Sequence, residues 1–186
     1  LGNGKRPNLF SEIVLQNHGG SVGLFHIAAE LRKGLEEAGI TVLDGRCAEI
    51  ERGEESVIIA GFDDPSSKAD FASGKYAEIA ESELCALDEN LNGFSILLAH
   101  RPELIDVYAK HNVSIVLSGH AHGGQFRLPF VGGLYVPNQG IFPKYDSGVY
   151  NYGDTKMIVS RGVGNSIMPV RFNNRPEIIL VELKKQ

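Results

Sequence analysis

Ile115-Val116-Leu117-Ser118-Gly119-His120-Ala121-His122-Gly123-Gly124-Gln125 is the stretch on which the reading of this chain turns. A short apolar run stops at Gly119 and gives way to two histidines, one residue apart, and then to a Gly-Gly pair. This is the pattern of a strand that delivers imidazoles onto the loop at its carboxyl end, where open α/β sheets place their ligands. Side chains at i and i+2 of an extended segment point to the same side, so His120 and His122 can reach one small site. Neutral imidazole is a common metal ligand, and flanking glycines let the backbone approach a metal or phosphate closely. The same residues also describe a hairpin end with two solvated histidines, and the stretch by itself leaves both readings open.

Working outward, the arrangement recurs twice. Ile13-Val14-Leu15 precedes Asn17-His18, and Ile96-Leu97-Leu98-Ala99 precedes His100. Four of the six histidines therefore end apolar runs that read as parallel strands, whose carboxyl ends share one edge of a sheet. The other two, His26 within a helical pattern and His111 in a helix-to-strand turn, read as packing or surface residues. A histidine cluster of this kind suits hydrolysis of a phosphoester, in which two cations roughly 3.5–4 Å apart activate water and neutralise phosphoryl charge.

The remaining elements follow from periodicity and turn residues. Residues 25–38 carry Phe25, Ala28, Ala29, Leu31, Leu35 and Ala38 at helical spacing and stop at Gly39, a natural C-cap. A strand is expected at 41–43, a hairpin at 49–60 turning on Arg52-Gly53-Glu54, and a polar loop at 61–74. A second helix is expected at 76–91, a buried strand at 94–99, a helix at 103–110 opened by Pro102, and a strand at 114–118. Beyond Phe126 come short strands at 134–136, 157–160 and 178–183 among Gly/Pro turns, with Gly153-Asp154 as a surface turn. Strand–helix alternation followed by a run of strands predicts an α/β sandwich of two packed sheets flanked by helices. Without repeats or low-complexity linkers, residues 1–186 read as a single domain.

Composition narrows the function classes. A chain of 186 residues with 42% hydrophobic and 22% charged residues is long enough to bury a core and is ordinary for a globular protein. The net charge of −5 gives no basic footprint for nucleic acid or an anionic membrane surface. Cys47 and Cys85 lack metal or redox spacing and read as packed thiols rather than a disulfide. No apolar run approaches the roughly 18–20 residues of a membrane span, and no signal peptide is present. Because the chain begins at Leu1, membrane association through preceding sequence stays open, as does a cytoplasmic location.

Gly119-His120-Ala121-His122 resembles the G-H-x-H motif of calcineurin-like metallophosphoesterases. The longer run 117–125, followed by Arg127-Leu128-Pro129-Phe130, resembles a bacterial branch of that superfamily, the YkuE/YaeI-like phosphoesterases. The likeness continues through Asn138-Gln139-Gly140 to Arg171-Phe172-Asn173-Asn174-Arg175-Pro176-Glu177 and covers the chain from about Asn17 onward. The resemblance implies an α/β/β/α sandwich and a phosphohydrolase that cleaves a phosphomonoester or phosphodiester with a binuclear-metal-activated hydroxide. It implies that Asn17, His100, His120 and His122 hold metal, and that His18 contacts the phosphate and protonates the leaving group. The implied cofactors are two divalent ions (Mn, Fe, Zn, Co or Ni), and the implied substrate is a small-molecule or lipid-linked phosphoester. Phe126, Phe130, Tyr135 and Phe142 either line an apolar substrate groove or are buried by the fold's own packing. Asp63-Asp64 reads as a structural loop, and Arg171 and Arg175 as solvated or salt-bridged rather than phosphate-binding.

The departures from the family pattern matter as much as the match. Gln16 stands where the family's G-N-H motif has Gly. No Asp is followed by x-His, and the only Gly-Asp pair, Gly153-Asp154, lies after the histidines, so the family's D-x-H and G-D-x-x-D motifs are missing. Asn and neutral His bring no negative charge to bridge two cations. Two expectations follow: a C-terminal larger part of the enzyme whose first strands are missing, or a catalytically degenerate metal- or phosphate-binding relative.

Overall fold

The computed structural model describes residues 22–69, 71–164 and 170–184; the expected strand at 13–15, Asn17 and His18 lie outside them. Helix α1 (Val22–Glu37) ends where the sequence places its stop, with Gly39 at φ 81° closing the C-terminus. The hairpin β1 (Arg46–Arg52) and β2 (Glu55–Gly61) turns at Gly53, where φ 66° suits glycine. Then come α2 (Tyr76–Cys85), β3 (Ser95–Leu98), α3 (Ile105–Tyr108) and β4 (Ile115–Ser118). Two small ribbons follow, β5 (Arg127–Leu128) with β6 (Gly132–Gly133) and β7 (Tyr135–Val136) with β8 (Gly140–Ile141). The hairpin β9 (Gly148–Tyr152) and β10 (Thr155–Val159) completes the strands, and Gly153-Asp154 is its tight turn.

The architecture is mixed α/β. One sheet has the order β1-β2-β3-β4-β10-β9, with β2, β3, β4 and β10 parallel and antiparallel strands at both edges. The central strands are near-continuous apolar runs because both their faces are covered. Leu97, Val116, Met157, Val159 and Ala60 face α2 and α3, where Ala80, Leu84, Ile105 and Tyr108 are fully buried. Ile96, Ile115 and Ile158 point to the opposite face, with Val57, Ile59, Leu98, Leu117 and Val181 packed around them.

Four expected elements end differently. The helix expected at 103–110 is α only over Ile105–Tyr108, between 3-10 turns at Pro102–Leu104 and Ala109–His111. Residues 41–43 bury Val42 and Leu43 but form no strand among the described residues. Leu43 instead lies so close to Gly61 that a Cβ there would come within 2.9 Å of it. The helix expected through Leu91 stops at Cys85, yet Leu87 and Leu91 stay buried at the expected spacing through a 3-10 turn, Asp88–Asn90. Residues 178–183 gain no strand partner among the described residues; Ile178 and Leu180 are exposed while Val181 reaches the Ile96 face.

Leu97 is fully buried on the central strand against α2 and α3. Leu97→Ala is expected to lower unfolding free energy by about 3 kcal/mol, read from urea denaturation of this chain.

Candidate functional site

The parallel register of β3 and β4 sets Ile96 opposite Ile115 and Leu98 opposite Leu117. The ladder runs on past the strand ends: Ala99 N–H donates to Leu117 O at 3.1 Å and Gly119 N–H to His100 O at 3.3 Å. The Ser118 hydroxyl donates to the same His100 carbonyl at 2.9 Å. His100 is thereby held level with Gly119, and the His100 and His120 rings meet edge to face, centroids 4.8 Å apart at 71°. His122 lies two residues further in the same loop, partly buried.

The loop backbone is strained. Ala121 N–H donates to Gly119 O at 2.6 Å, closing a three-residue turn centred on His120 at φ 62°. Phe126 N–H does the same to Gly124 O at 2.6 Å around Gln125, at φ 60° and ψ −62°. Turns of this hand are rare, and His122 is also at positive φ, 44°. Such residues cost on the order of 1–3 kcal/mol each and persist where surrounding contacts over-determine them.

Those contacts come from distant parts of the chain. The buried Asn174 amide donates to His122 O at 2.6 Å and to Gln125 O at 3.2 Å. Arg127 donates to Gly123 O at 3.0 Å and to Asp146 at 2.9 Å, and Asp146 also accepts from Gly133 N–H at 2.5 Å. A Cβ on Gly124 would fall 2.5 Å from Gly133 Cα, so β6 packs directly on the histidine loop only because both residues are glycine. Arg161 pairs with Glu177, whose carboxyl lies below its ordinary range chiefly because of that hydrogen bond.

On the His100 side the anchor is an ion pair. Arg101, beside His100, is 4% exposed, donates Nε–H to Asp64 at 2.7 Å and lies over the Tyr76 ring at 4.4 Å. Tyr108 donates its hydroxyl to Arg101 O at 2.9 Å. Burial pushes the Asp64 carboxyl up, but hydrogen bonds from Ser66 N–H and Arg101 outweigh it and leave the group below its ordinary value.

The structure thus brings His100 and His120 together from two loops and keeps His122 in the loop of His120, while Asn17 and His18 fall outside the described residues. Asp64 has a structural role, accepting from Ser66 N–H and Arg101, and Arg171 donates to backbone carbonyls of Arg161 and Gly164. The packing account fails for Phe130, Tyr135 and Phe142, which are exposed on the two ribbons; Phe126 stacks on Phe172 at 6.3 Å. Cys85 is likewise exposed rather than packed, and Cys47 is partly buried. The role of Asn174 as a loop clamp escapes sequence reading, since its spacing from His122 carries no local signal.

The two imidazoles thus meet at the carboxyl ends of adjacent parallel strands, the place where open α/β sheets bind their ligands. The chain is similar to proteins named as metallophosphoesterases and a phosphodiesterase. It is 41% identical over 104 residues to the uncharacterized metallophosphoesterase YkuE of Bacillus subtilis, 56% of this chain and 35% of that protein. It is 31% identical over 149 residues to the phosphodiesterase YaeI of Escherichia coli, 80% of this chain and 49% of that one. An uncharacterized metallophosphoesterase of Aquifex aeolicus is 36% identical over 179 residues, 96% of this chain and 62% of its own length. The chain therefore spans between about a third and three fifths of these relatives. No protein-family profile and no solved structure matches it.

Asp64→Asn removes the nearer of the two carboxylates paired with buried Arg101, leaving Glu103 Oε1 at 3.3 Å, and is expected to cost about 2 kcal/mol in urea unfolding at neutral pH. Because the folded Asp64 pKa is lowered, its contribution is present above the unfolded carboxylate value, about 3.9, and is lost as pH falls through the lower folded value. The gap between wild type and variant should accordingly narrow below about pH 4.

Proposed function

We propose that this chain carries the histidine half of a metal-dependent phosphoesterase acting on a phosphomonoester or phosphodiester. The observation that supports this most is the His100–His120 pair, edge to face at 4.8 Å on adjacent parallel strand ends. In this reading His100, His120 and His122, with Asn17, hold metal, and His18 gives its proton to the leaving oxygen. Bound cations would supply Lewis-acid polarisation of the phosphoryl group and a water of lowered pKa. The chain's own residues orient the ligands: Ser118 and Gly119 hold His100 through its carbonyl, and Asn174 fixes the backbone at His122.

The donor set fits one cation of the Mn, Fe, Co, Ni or Zn kind better than two. Among the described residues, no group of three His, Cys or carboxylate ligands at these strand ends closes to within 4.8 Å of one another. The nearby buried carboxylate, Asp64, is committed to Arg101. Exposed Phe130, Tyr135 and Phe142, on ribbons that pack on the histidine loop, support a substrate with an apolar part, such as a lipid-linked phosphoester. A second reading, a degenerate metal- or phosphate-binding relative, is favoured by the missing bridging carboxylates.

The full-length gene product separates the two. Loss of a residue that merely orients a metal ligand costs roughly 10–100-fold, so His120→Ala should lower metal-dependent hydrolysis of an aryl phosphoester at least about a hundredfold. Its unfolding free energy should stay within about 1 kcal/mol of wild type, since a loop ligand contributes little packing. Wild-type turnover by the variant refutes the assignment. Metal binding without turnover by the unmutated full-length protein selects the degenerate binder.

A further inference from the structure

A second group of ligand-type side chains lies at the opposite edge of the sheet from His100 and His120. Glu81 and Cys85 are one helical turn apart on α2 and so share a face, and His111 reaches them from the 3-10 turn Ala109–His111 that follows α3. One ligand atom from each of the three lies within 4.8 Å of the others. The His111 side chain is 5% exposed, and its Nε2 is buried and makes no hydrogen bond, with Glu81 Oε1 3.5 Å away. Its Nδ1 lies 2.6 Å from Asp88 Oδ1, so the carboxylate accepts from Nδ1–H and Nε2 faces Glu81 and Cys85.

We propose that Glu81, Cys85 and His111 bind a single zinc-type cation, with Asp88 orienting the imidazole. Carboxylate–histidine–metal arrangements of this form fix the ring and its tautomer. The thiolate selects Zn²⁺ or Co²⁺ over Mg²⁺ and Ca²⁺, and three protein ligands leave a fourth position for water. Tetrahedral ligands at 2.0–2.3 Å from zinc stand roughly 3.5 Å apart, so the group has to contract by about 1 Å. Exposed Cys85 and Glu81, whose side chain is 41% exposed, are free to swing inward, displacing the Lys110 ammonium now 3.6 Å from Glu81. Binding replaces the thiol proton of Cys85, which leaves to solvent. The cation would staple α2 to the turn that leads into β4, independently of the phosphoesterase site.

The test is Co²⁺ titration of the reduced, chelator-stripped 186-residue chain, read as thiolate-to-cobalt charge-transfer absorption in the near ultraviolet. One equivalent should produce the band and added Zn²⁺ should bleach it. Cys85→Ser should abolish it, and Glu81→Gln should weaken Co²⁺ binding at least tenfold. Cys47→Ser and His120→Ala should keep it, which separates this site from the other cysteine and from the strand-end histidines. Absence of the band in wild type, as expected if His111 is only an ion-pair bridge between Asp88 and Glu81, overturns the proposal. A band that survives Cys85→Ser, or that vanishes in Cys47→Ser or His120→Ala, overturns it equally.

Discussion

Parallel pairing of β3 with β4 is the constraint from which the rest follows. A parallel ladder fixes which residues lie level, and here it puts the carbonyl of His100 opposite the N–H of Gly119. A shift of either strand by one residue would reverse its faces, sending Leu97 or Val116 out of the helix-side core. The hydrophobic pattern therefore sets not only the sheet but the meeting of the His100 and His120 rings. The site is a consequence of core register.

Holding those rings demands more than the sheet. The loop after β4 has His120, His122 and Gln125 at positive φ, and it stays so because Asn174 and the Arg127–Asp146 pair take up its carbonyls. The loop before α3 depends on a different device, the buried Asp64–Arg101 pair. A buried pair of this kind adds little net stability compared with apolar residues of the same volume, but losing one partner is costly. Its use here is positional: Arg101 is adjacent to His100, and its carbonyl, side chain and ring contact are all engaged.

The sheet's two faces differ in how they are covered. The Leu97 face is closed by α2 and α3, whereas among the described residues the Ile96 face carries Val181 from an extended segment whose neighbours Ile178 and Leu180 are exposed. That segment reads as a strand because its composition is apolar, yet a strand exists only through a hydrogen-bonded neighbour. Residues 41–43 likewise bury Val42 and Leu43 without a strand partner among the described residues. Apolar sequence announces burial; pairing depends on a hydrogen-bonded neighbour.

The sequence by itself determined the mixed α/β class, the helix stop at Gly39, the hairpin around Gly53, and the strand-end placement of His100, His120 and His122. These are short-range properties: period, turn residues and the abrupt end of an apolar run. The family likeness came from contiguous motif residues for the same reason. Tertiary structure decided the rest. Asn174 clamps a loop 52 residues away, and Asp64 pairs with an arginine 37 residues on, relations with no local periodicity. Cys85 looked inert in sequence because its neighbours in space, Glu81 and His111, sit on an i, i+4 helix face and on a different element. Periodicity records which face a residue lies on, but only the packed chain decides what that face meets.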